Sequence, residues 1–311
     1  MKTSAKAVFA GLCATALLLS GCAIGGPGSG QPGGPVDQSR QGAPIVSGFS
    51  DAAVEACSAA SPTLDAIRDR GTLNWGIGIS PPFAFKLDDG SWGGVEADNA
   101  RELAALLGVD VQIQDYDYGI MTAAIQSKKA DVIGAILFIT PERAQVIDFS
   151  DYYYLAGQLF YVLESSPYQT IDDLNSDDVR FVYGTGNAQL AIAEKYIPQS
   201  TITDAPLRGQ LLLYEFLATG QADASMVQAE SMPMLQAKYT DPQLAAIGLN
   251  GRVTTEVAQE ADIIDPFEVA FGLPKGDSAW KGCVDAWVAD ARSTGRMDDR
   301  IQYWLDQNAA S

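Results

Sequence analysis

The chain of 311 residues contains no histidine, only 4 cysteines, and 20 lysines and arginines against 39 aspartates and glutamates. Without histidine it lacks the side chain that most often serves as general base and metal ligand near neutral pH. Ser-His-Asp and Cys-His nucleophilic catalysis are therefore closed to it, and a zinc site would need unusual ligands. The shortage of basic residues has its own consequence. A net charge of −19, with no Lys/Arg cluster to offset it, repels nucleic acid and anionic lipid. Past the first twenty or so residues, no run approaches the roughly 18 consecutive apolar residues of a membrane span.

What is present begins with a leader. Lys2 and Lys6 precede the apolar "AVFAGLCATALLL", and "LSGC" at Leu19 to Cys22 places small residues before a cysteine. This is the pattern of a lipoprotein signal peptide. Residues 1–21 are expected to be removed and Cys22 to carry the lipid; the alternative is a plain secretory signal cut elsewhere. Losing Lys2 and Lys6 leaves 18 basic against 39 acidic residues, a balance of −21. Residues 22–50 read as a flexible tether, because "GGPGSGQPGGP" has nine Gly or Pro in eleven and too little apolar surface to fold. The expectation is an exported, monomeric body held to the cell membrane by lipid alone. Cys13 leaves with the leader and Cys22 is lipidated, so Cys57 and Cys283 remain. An even pair in an oxidising compartment reads as a disulfide, with two buried free thiols as the alternative.

From Asp51 onward strand and helix patterns alternate. "SPTLDAIRDRG" offers Ser61 as N-cap, Pro62 at the first helical position and Gly71 as stop. "TLNWGIGI" reads as a buried strand and "FAFKLDDGSW" as a hairpin turning at Asp89-Gly90. "VEADNARELAALLG" predicts a helix with Ala100, Leu103, Ala104 and Leu107 on one face, closed by Gly108. Strand "VDVQIQDY", helix "IMTAAIQSKK" and strand "ADVIGAIL" follow. "AGQLFYVL" is another strand, and from Ile171 a second α/β set begins. It ends on strand "EVAFGLP" and on helices from Ser278 to Ser293 and from Met297 to Gln307. The alternation predicts an α/β fold whose first half has a mostly parallel sheet, and the length predicts two lobes. No repeat of 20 to 50 residues is present.

In "FITPERAQVIDFSDYYY", residues 138–154, Arg143 stands between the turn signal Thr140-Pro141-Glu142 and a short strand. Taken alone it reads equally as a surface charge or as an anchor for an anion. Other blocks share its context: "GTLNWGIGISPPFAF", "DGSWGGVEADNARELAALLG", "AAIQSKKADVI", "GQADASMV", "FGLPKGDSAWKGCVDAWV" and "STGRMDDRIQYWL". With these blocks in this order, the chain from Leu64 to Leu305 resembles the extracytoplasmic solute-binding proteins of amino-acid ABC importers (family 3, type II). The resemblance implies a two-lobed periplasmic-binding-protein fold with two hinge crossovers. Lobe 1 would comprise residues 51–157 and 265–311, and lobe 2 residues 158–264. It implies a binder and not an enzyme, without cofactor or metal, whose partners are a small carboxylate ligand and ABC permease subunits. The alternatives are a ligand-sensing lipoprotein and an enzyme similar to the periplasmic cyclohexadienyl dehydratases.

The same resemblance assigns residues. Arg143 would grip the ligand's α-carboxylate, a task suited to a planar guanidinium fork. Tyr118 would form an aromatic shelf, or else be a core tyrosine. The turn before "PPF" is one residue short and reads Gly78-Ile79-Ser80, bringing Ser80 to the site. The small polar run before the arginine becomes Ala135, Ile136, Leu137 and Phe138, with a phenyl ring where a hydroxyl is usual. A helix-start turn reads Gly186-Asn187-Ala188, and the backbone N–H groups of Asn187 and Ala188 could receive a carboxylate. The aspartate that pairs the ligand's ammonium aligns with Gln228, whose neutral amide supplies only a dipole. Glu230, two residues on, and Glu96, expected near the cleft rim, are the candidate substitutes. A carboxylate-bearing solute whose amino group is absent, modified or differently recognised fits these changes.

Overall fold

A computed structural model describes residues 48–206, 213–253 and 260–309. The segment expected to be a leader, Cys22 and the Gly/Pro-rich run lie outside the described residues. The described body opens with Phe49 packed on the core and Ser50 capping α1 (Asp51–Ala56). Ser61 accepts the N–H groups of Thr63 and Leu64, Pro62 opens α2 (Pro62–Arg70), and Gly71 ends it at φ 69°, where a residue without Cβ is unstrained.

The first half continues through β1 (Thr72–Ile77), the short hairpin β2 (Phe85–Lys86) and β3 (Trp92–Gly93), α3 (Val95–Leu107) and β4 (Asp110–Asp115). It closes with α4 (Met121–Gln126), β5 (Val132–Ile133), α5 (Pro141–Val146) and β6 (Asp148–Phe149). The second half comprises β7 (Tyr154–Leu163), α6 (Ile171–Leu174), β8 (Arg180–Gly184), α7 (Gln189–Tyr196), β9 (Thr201–Ala205), α8 (Leu213–Ala218), β10 (Ala224–Gln228), α9 (Met232–Lys238), β11 (Leu244–Gly248), β12 (Gly251–Val253) and β13 (Ile264–Val269). The chain then returns with β14 (Gly272–Leu273), α10 (Ser278–Ser293) and α11 (Arg296–Ala309).

Apart from the two-stranded β2/β3 hairpin, these strands form two sheets. The first runs β4-β1-β5-β14-β6, with β1 parallel to β4 from Thr72/Asp110 to Ile77/Asp115 and parallel to β5. The second runs β12-β11-β7-β10-β8-β9, and β13 also pairs with β7. Sequence "EVAFGLP", expected as one strand, is divided between the sheets. Val269 ends β13 in the second, Gly272 begins β14 in the first, and Ala270-Phe271 carries the chain across. Tyr153 N–H donates to Val269 and Ser150 N–H to Phe271, so segments 150–158 and 264–272 cross side by side. They are the two hinge crossovers of a type II periplasmic-binding-protein fold.

The first sheet's core gathers Leu73, Trp75, Phe271, Trp280 and Trp287. The second sheet is packed on both faces, by Leu159, Val227 and Leu217 on one side and Phe160, Met226 and Ile192 on the other. Cys57, at the end of α1, forms the expected disulfide with Cys283 of α10, both buried. A buried charge network locks α11 onto α3. Glu102 accepts from Arg296 and Arg300 and from the Trp287 indole, Asn99 accepts from Arg300, and Asp98 accepts from the Trp304 indole. Among the described residues, no helix is long and apolar enough to cross a membrane.

Candidate functional site

Arg143 owes its position to a short helix where the sequence suggested a turn leading straight into a strand. Thr140 is the N-cap of α5, accepting the Arg143 N–H at 3.3 Å, and Pro141 supplies the first helical φ. From there the guanidinium reaches across the junction. Nη1 donates to the Phe138 carbonyl at 2.8 Å, and Nη2 to the Gly186 carbonyl at 3.0 Å on the other sheet's β8–α7 turn. Burial pushes its pKa down, with Tyr118 and Glu142 acting in the opposite direction.

Around it the backbones come close. Tyr118 donates its hydroxyl to the Ala135 carbonyl at 2.9 Å, and burial raises its pKa. A Cβ at Gly78 would lie 3.1 Å from the Tyr118 ring, so the glycine makes room for the aromatic. Gly186, at φ 78°, faces Gly119 so closely that a Cβ would sit 2.4 Å from the Gly119 Cα. Asn187 and Ala188 follow directly and lead into α7, with the Asn187 side-chain Oδ1 accepting the Gln189 N–H at 3.4 Å. Two further bonds join the halves. Ser80 donates to Gln228 at 3.5 Å, and Ser231 donates to the Pro81 carbonyl at 2.5 Å.

Three expectations need correction. Glu96 is not at a rim: it is wholly buried on α3, where its carboxylate accepts from the Ile136 N–H at 3.1 Å, the Tyr153 hydroxyl and the Asn99 amide. Burial raises its pKa and those hydrogen bonds oppose the rise. The bond to Ile136 has a local purpose, because Ile136 holds φ 49°, a left-handed conformation that a β-branched residue seldom takes. Glu230 turns to the crossover instead, accepting from the Tyr154 hydroxyl at 2.5 Å and the Gly157 N–H at 3.5 Å. The Phe138 ring is buried and stacks on Phe267 of the crossover at 4.8 Å, and it is the backbone carbonyl that accepts from Arg143.

Gln158 and Gln189 were not foreseen. Both are fully buried beside Gln228, joined by a Gln189 Nε2 to Gln158 Oε1 contact of 3.5 Å. An amide inside the otherwise apolar strand "GQLFYVL" was the available signal. Among the described residues, no group of three or more Cys, Asp or Glu side chains could hold a metal ion.

Two sheets joined by paired crossovers, with side chains meeting across the junction, define a two-lobed periplasmic-binding-protein fold. The chain belongs to the bacterial extracellular solute-binding proteins, family 3, whose model matches residues 73–307. It is similar to the L-cystine-binding protein TcyJ of Escherichia coli (strain K12), 27% identical over 246 residues covering 78% of this chain and 85% of that one. It is also similar to the ABC transporter glutamine-binding protein GlnH of Bacillus subtilis (strain 168), 26% identical over 259 residues, or 80% and 86% of the two chains. Among solved structures it resembles the ancestral amino acid-binding protein AncCDT-1, a precursor of cyclohexadienyl dehydratase. There the TM-score is 0.66 and the identity 27%, over 78% of this chain and 99% of that one.

Proposed function

We propose that this protein captures a small carboxylate-bearing solute, an amino acid or a derivative of one, between its lobes and delivers it to an ABC permease. Lobe 1 is formed by residues 51–157 and 265–311 and lobe 2 by residues 158–264. Lipid on Cys22 holds the body outside the cell membrane through the tether. The observation that carries the reading is Arg143, a guanidinium positioned by carbonyls from both sides of the junction, Phe138 and Gly186. Its planar fork can hold a carboxylate through two parallel hydrogen bonds, which a lysine ammonium cannot reproduce. Tyr118, Ala135, Ile136, Ser80, Asn187, Ala188 and Gln228 would complete the wall around the solute.

The likeness to a dehydratase precursor favours a second reading, an enzyme acting on cyclohexadienyl acids. Against it, the chain has no histidine, and Glu96 and Glu230 are tied to backbone N–H groups and tyrosine hydroxyls. Incubation with prephenate or arogenate, followed by product absorbance, separates the two.

A thermal-shift screen tests the binding reading, since a ligand that binds only the native state raises its apparent stability by mass action. Amino acids, keto acids and small carboxylates are screened beside their methyl esters. At least one free acid should raise the melting temperature while its ester does not. Equal shifts from acid and ester would contradict carboxylate capture.

A further inference from the structure

We infer that the ligand group lying beside Gln228 is an uncharged secondary amide, so that the solute is an N-acylated amino acid; this rests on the carboxylate-capture reading and narrows it. In the antiparallel pair β7/β10, Gln158 stands opposite Gln228, which puts the two side chains on one face of the sheet. Farther along that face Phe160 opposes Met226 and Val162 opposes Ala224, all within the apolar core beneath α7. The face therefore changes from hydrocarbon to amide at the end where Ser80 of the first half meets it.

Gln189, the first residue of α7, completes the group. Its Nε2 donates to the Met226 carbonyl at 2.8 Å and to Gln158 Oε1 at 3.5 Å. Gln158 Nε2 donates to the Gly157 carbonyl at 3.1 Å. Donation to carbonyls fixes which end of each amide is nitrogen. Two capacities are left. Gln189 Oε1 is buried and finds no partner among the described residues, and a buried acceptor without a donor is unfavourable. Gln228 uses its Oε1 to accept from Ser80, which leaves Nε2 to donate to the solute.

One acceptor on Gln189 and one donor on Gln228, both neighbours of Gln158, match the N–H and C=O of a secondary amide. An ammonium fits poorly, because it brings three donors and a charge that needs an anionic partner once out of water. Gln228 is neutral, and Glu96 is engaged by Ile136 and Tyr153. Glu230 spends Oε1 on Tyr154 and Gly157 at the crossover and keeps a buried Oε2 without a partner among the described residues. It is therefore the one carboxylate of these that could answer an ammonium, and the titration against free parents decides between them. An N-acyl amino acid keeps the carboxylate for Arg143 and replaces the ammonium with an amide.

The test is calorimetric titration of the folded protein with N-acetyl amino acids, with the free parent of each, and with the matching 2-hydroxy and 2-oxo acids. At least one N-acetyl amino acid should bind ten-fold or more tightly than its free parent. In Gln228→Asp, checked for native circular dichroism, that preference should reverse. A free parent binding as tightly as its N-acetyl form in the wild type would overturn the inference, whatever the variant does. Binding confined to 2-hydroxy or 2-oxo acids would also overturn it but leave carboxylate capture standing. If no carboxylate binds at all, both readings fall together.

Discussion

At Gly186 the backbone sits at φ 78°, and a β-carbon there would lie 2.4 Å from the Gly119 Cα and 2.6 Å from its nitrogen. Neither partner is a flexible side chain, so one methyl group opposes both the local conformation and the approach of the two halves. A strained backbone of this kind costs on the order of 1–3 kcal/mol. Gly186→Ala is therefore expected to weaken ligand binding by about ten-fold or more while far-UV circular dichroism stays native. Gly119→Ala should weaken it far less, because its β-carbon would meet the Thr185 carbonyl at 3.6 Å and the Gly186 Cα at 4.0 Å, both ordinary contacts. Titration of both variants checks this, and an unaltered affinity in Gly186→Ala would show that the close approach is not needed. Single residues were also where sequence reading was weakest. Arg143 stands out through its motif, whereas Glu96, a candidate ammonium partner expected near the cleft rim, is wholly buried. Its true partner Tyr153 lies 57 residues away, beyond any local pattern. Gln158 and Gln189 are neutral and give no charge signal at all.

Whole elements were more legible where their ends carry capping chemistry. Ser61, Pro62 and Gly71 bound α2, and a long 3.6-residue pattern gave α10 its limits at Ser278 and Ser293. Short elements were lost: α5 lies inside what looked like a turn, β11 and β12 were not foreseen, and the β13/β14 break falls in a continuous apolar run. What joins α3 to α11 was equally hidden. The buried face of α3 carries Glu96, Asp98, Asn99 and Glu102, acids and an amide that a hydrophobic pattern would not place inside. Glu102 is balanced there by Arg296 at 3.1 Å and by Arg300, whose own pKa burial lowers to about 10. Removing one side of such a pair leaves buried charge uncompensated. Glu102→Ala is expected to lower unfolding stability by about 3–5 kcal/mol in denaturant titrations. A loss under about 1 kcal/mol would mean that the network contributes little.

Across the whole molecule, the fold follows from a β/α alternation that the chain displays openly, with a disulfide closing a separation of 226 residues between α1 and α10. The two halves meet through a few polar contacts: Arg143 on Gly186, Ser80 on Gln228 and Ser231 on Pro81. Each hydrogen bond contributes only about 0.5–1.5 kcal/mol net, so a ligand with a few kcal/mol of differential affinity can set the balance between open and closed forms. Arg143 is the contact that would change partners, from the Gly186 carbonyl to a solute carboxylate. Calorimetric titration of the wild type, Arg143→Lys and Arg143→Ala with the tightest acid found by thermal shift tests this directly. Leaving a buried carboxylate without its partner costs about 3–5 kcal/mol, so Arg143→Ala should lose roughly 100- to 1,000-fold in affinity or more. Arg143→Lys should recover part of that loss, because an ammonium cannot reproduce two parallel hydrogen bonds. Wild-type affinity in Arg143→Ala would contradict the account.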